Sequence, residues 1–548
     1  MPRMPAIGSI KASTALSVLL ALYATDAHAL DDGGQPLGTV EFPVSCSDQA
    51  QQEFNRAVAL LHHMTYPRAK AAFGHVAALD PACAMAQWGV AMTLFQPLWP
   101  TRPGPEQLQQ GWEAVQRAEA LAPPTERERL YIAAAEAFYR EPESTDYWER
   151  IRRWEAAQEA LYQRFPDDHD AATLYALAHL ATAQASETAP EHHARAADIL
   201  ASVHANSPDH PGSIHYTIHA NDTRGREHES LDVVRGYAKI APRNPHALHM
   251  PTHIFTRTGD WDEVIQGNLQ AAEAALAHPA GDDGRYVWDE FPHAVEYLVY
   301  AHLQQGADEA AAEQLERLQS TEHLDPTFKT AFHLSSIPAR YALERGAWEE
   351  AAALPPRPHD ALQWDRFPWP ESVTWFARGL GAAHLGRLDD TERALERLGE
   401  LEQAADQAGE ALFTNQIRVL RLALSAWQAH ARGQEDLAIE QMQAAAELEL
   451  ATPKHPVTPA PTLPADELLG DLLMESGRPE QALAAYERSL ELHPNRLNSL
   501  LGAARAAQAL EDEETAREFY AALTAMAVGE SNRAGLKEAL TRVQGDVR

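Results

Sequence analysis

Six glycines constrain the fold of this chain more than any other feature. Gly259, Gly306, Gly346, Gly386, Gly433 and Gly477 follow one another at intervals of 47, 40, 40, 47 and 44 residues. Each stands between two alanine- and leucine-rich amphipathic stretches, as in Thr258-Gly259-Asp260-Trp261, Arg345-Gly346-Ala347-Trp348 and Ser476-Gly477-Arg478-Pro479. Glycine stops a helix readily because it adopts the left-handed conformation at no steric cost. A recurrence of roughly 40 residues is the period of a helical hairpin stacked along a chain. Almost no run alternates with period two, so the expected fold is all-α, a solenoid of helical hairpins. At 548 residues the chain exceeds what one small core can hold, which also fits a continuous array.

The stretch 466–494 resembles the tetratricopeptide repeat. Gly470 falls in its first helix, Ala482 and Tyr486 in its second, and Pro494 closes it. Small residues let the two helices approach, and the aromatic ring fills the gap to the next unit. A second stretch of this kind runs from Phe54 through Ala69, Phe73 and Ala77 to Asp80-Pro81. Trp88, Trp99, Trp261 and Trp348 fall where such packing needs bulk.

The chain divides into an N-terminal segment 1–29, a lead-in 30–47, histidine-rich repeats 48–280, middle repeats 281–451, a proline-rich linker 452–464 and C-terminal repeats 465–548. Within the first segment Arg3 and Lys11 precede a mostly apolar run from Ala12 to Tyr23, and Ala27-His28-Ala29 offers a small-residue cleavage site. That pattern reads as a secretory signal peptide cut after Ala29, giving a periplasmic or secreted protein. Five prolines between Thr452 and Pro464 forbid a helix and favour an extended linker. A formal charge of -34 excludes a nucleic-acid surface and an anionic-membrane surface, which need clustered positive charge. No stretch after the first segment is apolar enough for a membrane anchor. In an oxidising compartment the two cysteines, Cys46 and Cys83, are expected to pair.

Histidines carry the functional signal. Eight of the chain's 26 lie between His204 and His253. His215 and His219 are four apart, and His246, His249 and His253 follow within Pro245-His246-Ala247-Leu248-His249-Met250-Pro251-Thr252-His253. At ~100° per residue, a four-residue step turns a side chain by only ~40°, so each group projects its rings from one helix face. Neutral imidazole is the commonest transition-metal ligand among side chains. Five rings from two neighbouring helices are therefore expected to converge on one pocket and bind copper, zinc or iron. His62 and His63 are possible additional ligands. Asp222 is the first choice for a carboxylate orienting a ligand from behind, with Asp260 and Glu296 also in reach. Pro251 complicates the geometry, because a proline inside the helix would kink it and separate His246 from His253. His192-His193, in a charged helical stretch, is expected to be solvated.

The segments 215–220 and 245–257 are similar to those of a broad family of exported bacterial tetratricopeptide-repeat proteins for which no activity is settled. The resemblance runs from about Val44 to the C-terminal repeats. Two positions depart from it. His219-Ala220-Asn221-Asp222 stands where His-Ala-Tyr-Asp is common, and Asp466 stands where histidine is common.

The chain lacks a phosphate-binding loop, a nucleophile elbow, a dinucleotide-binding glycine signature and a His-Glu-x-x-His pair. Two functions remain. One is an exported solenoid binding a transition metal, with metal-dependent oxidoreductase or hydrolase chemistry open to it. The other is a scaffold whose groove grips a protein or peptide partner, with structural histidines.

Overall fold

The computed structural model describes residues 34–545 apart from 100–101, 185, 187, 282–283 and 529–531. The expected signal peptide lies outside these residues. From Asp48 to Gly545 the chain is a succession of antiparallel helices, interrupted among the described residues by one two-residue hairpin, Pro279–Ala280 with Tyr286–Val287. All six punctuating glycines are left-handed, with φ between 64° and 73°. Side-chain caps start other helices: Ser47 accepts from Ala50 N–H, Asp146 from Trp148 N–H, and Asn244 from Ala247 N–H. No described helix is long and apolar enough to cross a membrane.

Repeat packing follows the logic of the tetratricopeptide repeat. A Cβ on Gly470 would lie 2.5 Å from the Tyr486 ring, and one on Gly502, in the following hairpin, 2.3 Å from it. Tyr486 thus fills a gap that two glycines create. At the N-terminus Phe73 lies against Gly89 in the same way. The fold is all-α, a tetratricopeptide-like solenoid of helical hairpins.

The lead-in does not hang free. Phe42 is fully buried against Phe54, Trp88 and Tyr131, with ring centroids 4.7–5.5 Å away. Cys46 and Cys83 are joined in a disulfide with Cα atoms 5.0 Å apart. It ties the lead-in to the start of the helix Ala84–Thr93.

The segment 452–464 forms no helix, as its five prolines predict. This segment runs through turns and bends, largely buried, and it straps the middle repeats to the histidine-rich ones. Proline makes such burial tolerable, since it has no N–H to satisfy and only carbonyls need partners. Arg340, fully buried, supplies them, donating to Ala460 O at 2.9 Å and Pro461 O at 3.0 Å. At the strap's other end Lys454 reaches Asp222 at 3.2 Å.

The C-terminal repeats also fold back. Trp261 Nε1 donates to Asn495 O at 2.9 Å, and Leu497 N–H to the Gln304 side chain at 2.9 Å. Arg496, buried with no exposure, pairs with Glu467 and Glu344 across the junction. Units remote in sequence therefore surround the central repeats.

The Cys46–Cys83 disulfide closes a separation of 37 residues, which in the chain-entropy picture stabilises by ~3–4 kcal/mol. Replacing both cysteines with serine should lower stability by that order in denaturant unfolding, with helical content unchanged before the transition. An unaltered midpoint would show that the bond constrains nothing.

Candidate metal centre

Three helices carry the predicted histidines. His215 and His219 project from Pro211–Asn221, which Pro211 starts in its first turn. His246 and His249 belong to the short helix Pro245–His249. Pro251 ends it and begins a second helix, Pro251–Thr258, which carries His253. The break has the consequence expected of the proline: His246 and His253 serve different sets.

The rings gather as two triads, not as one cluster of five. His215, His219 and His246 form the first, and His249, His253 and His293 the second, each with one ring nitrogen per residue within 4.8 Å of the others. In the first triad His215 Nε2 lies 3.1 Å from both His219 Nε2 and His246 Nε2. In the second, His249 Nε2 is 2.9 Å from His253 Nε2, and the His293 ring is 4.2 Å from that of His249 between centroids. His293, from the helix Glu290–Gln304, was not among the expected residues. A signal for it existed: Glu290, His293, Glu296 and Tyr297 fall on one face of that helix by spacing.

Proton bookkeeping separates these triads from ordinary hydrogen-bonded histidines. A neutral imidazole carries one N–H. His215 Nδ1 faces the His62 carbonyl at 2.6 Å, and His246 Nδ1 faces Glu290 Oε2 at 3.3 Å. Both partners only accept, so each Nδ1 holds the proton. The two Nε2 atoms, 3.1 Å apart, then present lone pairs to each other. The second triad repeats this. His253 Nδ1 donates to Asp222 Oδ2 at 3.0 Å. His249 Nδ1 donates to Asn268 Oδ1 at 2.7 Å, and that amide's orientation is set because its nitrogen donates to Val264 O and Thr252 Oγ1. His249 Nε2 and His253 Nε2 again meet as lone pairs.

Facing lone pairs favour a cation between them, an extra proton or a metal ion; the neutral donors at hand are the His219 ring, if it carries its proton on Nε2, and the Tyr297 hydroxyl, 3.4 Å from His253 Nε2. The extra proton is disfavoured. Burial, reinforced by neighbouring imidazoles, holds His215, His219, His249 and His293 well below the ordinary value of 6.5. Burial also lowers His253, although Asp222 partly offsets it. The separations suit a metal instead: two nitrogens bound tetrahedrally at ~2.0–2.1 Å lie about 3.3 Å apart.

The groups behind the rings are themselves anchored. Asp222 receives Arg257 and Lys454 as well as His253. Burial works against its ionisation, yet those three partners hold it well below the usual carboxylate range. Glu290 is kept ionised in the same way by Lys329 and His246. His293 Nδ1 meets His333 Nε2 at 3.1 Å, and His333 Nδ1 donates to Glu296.

The remaining predicted residues lie elsewhere. His62 is not in either triad: its Nε2 lies 2.9 Å from Asp170 and its Nδ1 3.2 Å from the Tyr216 hydroxyl. His210 joins the same carboxylate, at 3.3 Å, with its Nδ1 accepting from Ser213 N–H. Each contact there pairs a donor with an acceptor, so hydrogen bonding accounts for the group. His63 bonds the Tyr237 hydroxyl and the Leu37 carbonyl. Asp260 is exposed and takes the Thr258 hydroxyl. His192 is not solvated as expected but half-buried against His179 and Glu155. His193 bonds the Ala220 carbonyl.

Both triads open on one cavity of about 310 Å³, lined by His219 and His246 from the first and His253 and His293 from the second. Trp99, expected to fill core, forms part of its wall, with its ring 5.8 Å from that of His246. Val457, from the strap, forms another.

No protein-family model matches the chain, and no curated protein matches it. Among solved structures, the crystal structure of the APC/C hetero-tetramer Cut9–Hcn1 aligns over 91% of this chain and 96% of that one, at 13% identity and a TM-score of 0.27. A score that low carries no argument, and the architecture rests on the helices and their packing. They define an all-α helical-repeat protein with a histidine-lined central cavity.

Stability should follow the depressed histidines. Their folded values lie below the unfolded value of 6.5, so the unfolded chain takes up protons first and is favoured as pH falls. Metal-free protein should keep full stability above pH ~7.5 and melt progressively lower from roughly pH 7 to pH 5. Thermal unfolding across that range measures it, and a flat profile would show that the rings charge without cost.

Proposed function

We propose that this is an exported metal-binding protein of the helical-repeat class, holding one transition-metal ion in each histidine triad beside a shared substrate cavity. The observation that carries the reading is the paired lone-pair contact, His215 with His246 and His249 with His253, inside a site where protonation is disfavoured. The ligand set is all imidazole, which suits copper, zinc and iron and is poor for magnesium or calcium. An ion held there would supply Lewis-acid or redox chemistry. The chain's own residues fix the rings: Asp222, Glu290, Asn268 and the His62 carbonyl set each tautomer, and the cavity wall restricts water. Oxidoreductase and hydrolase activity are both compatible with such a centre. Export is supported by the N-terminal sequence pattern and by a disulfide, which persists in oxidising compartments.

Protein purified from the periplasm or medium and loaded with copper or zinc should contain two ions per chain by elemental analysis. His249→Ala should remove one and His215→Ala the other, each with the helical spectrum intact. Retention of both ions in either variant, or failure to bind any supplied metal, would leave the groove scaffold for a protein partner as the function. Metal should also leave as pH drops through the histidine range, since a protonated imidazole cannot coordinate.

A further inference from the structure

The charge around the triads says what the cavity is built to receive. Six neutral rings bring no negative charge to the ions they would hold. The carboxylates behind them are already matched, Asp222 by Arg257 and Lys454, Glu290 by Lys329, and Glu296 by Arg340. An ion in either triad would thus draw no negative charge from its own ligands in a largely apolar chamber, where the lining Asp289 is paired with Lys329 at 3.0 Å. Isolated charge in such surroundings is costly, and the remedy is a negatively charged donor atom entering from the cavity.

The walls restrict which molecule can bring that atom. Trp99, Trp288 and Phe328 contribute aromatic rings to the lining, and Met250, Leu98 and Val457 add apolar side chains. At about 310 Å³ the chamber is at the small end of ligand sites and suits one ring-sized molecule. Asp289 and Asp325 line it too. They would repel a compact, doubly charged oxyanion such as sulfate more than a molecule whose single charge is confined to one atom.

We propose that the cavity binds a small phenol, its ring among these aromatic and apolar side chains and its deprotonated oxygen turned to the triads. The inference rests on the metal reading above and adds the substrate class to it. Binding breaks only the phenol's O–H bond; the proton leaves to solvent, and the electron pair stays on the oxygen.

Zinc-loaded protein is the suitable form for the test, because zinc is redox-inert and the ligand then persists. 4-Nitrophenol, whose visible absorption reports its ionisation, should bind at neutral pH, where it is only partly ionised in water, and show a stronger phenolate band when bound than when free. Nitrobenzene, which has the ring without the ionisable oxygen, and acetate, which has the oxygen without the ring, should each bind at least about tenfold more weakly. Trp99→Ala should weaken 4-nitrophenol by about tenfold at unchanged zinc content. Phe328→Leu, which keeps apolar bulk but loses the flat face, gives the same test should Trp99→Ala not fold. Equal binding of nitrobenzene or acetate, or full affinity in both variants, would overturn the proposal. So would zinc-loaded protein that ignores 4-nitrophenol. Protein that takes up no zinc or copper would instead fail the metal reading, and this inference with it.

Discussion

Everything at the centre depends on what occupies the outer nitrogen of each ring. An imidazole has two nitrogens and, when neutral, one proton. Placing an acceptor behind Nδ1 therefore forces a lone pair at Nε2. His215, His246, His249 and His253 each have such an acceptor, and three kinds serve: a backbone carbonyl, two carboxylates and an amide. Folding thus builds two concentrations of lone pairs that repel one another, a local cost borne by the surrounding helices. Strain of this sort persists only where the rest of the structure over-determines it, and it is characteristic of functional sites. The His62–Asp170–His210 group shows the opposite arrangement. Its carboxylate sits in front of the rings instead of behind them, so every contact is already a hydrogen bond.

Charge is handled with the same economy. A buried carboxylate that polarises a histidine would cost too much if left alone. Asp222 sits on the turn after the helix Pro211–Asn221, and its charge is met by Arg257 from the next helical pair and by Lys454 from more than two hundred residues onward. Glu290 is met by Lys329, which also lies over the Trp99 ring at 4.2 Å. The proline-rich strap is thereby part of the site. It supplies the counter-charge for Asp222 and, through Val457, part of the cavity wall.

How much of this was legible in the sequence follows from the range of the interactions. Local rules were readable. The six glycines stop helices because left-handed geometry is a property of the residue itself, and Tyr486 meets Gly470 and Gly502 because repeat packing recurs at fixed offsets. Helical spacing likewise placed His215 with His219 and His249 with His253 on shared faces. Partition into two triads was not readable. It depends on Pro251 dividing one expected helix into two and on His293, which stands in sequence with no histidine at helical spacing. His62 and His63 drew attention as neighbours, but consecutive helical residues point ~100° apart, and the two rings enter different hydrogen-bond networks.

The strap shows what composition leaves open. Five prolines in thirteen residues describe a segment that cannot be helical, and a solvated linker is the usual outcome. The same chemistry allows burial, because a proline-rich backbone has few N–H groups to satisfy. What remains is a row of carbonyls, and a single guanidinium with several N–H donors can serve them. Arg340 does so from a helix whose same face, seven residues earlier, carries His333 toward the second triad. Sequence reveals the prolines but not the arginine that will face them, more than a hundred residues away. The strap is therefore non-helical for a local reason and buried for a distant one, and only the second reason brings it to the histidine-lined cavity.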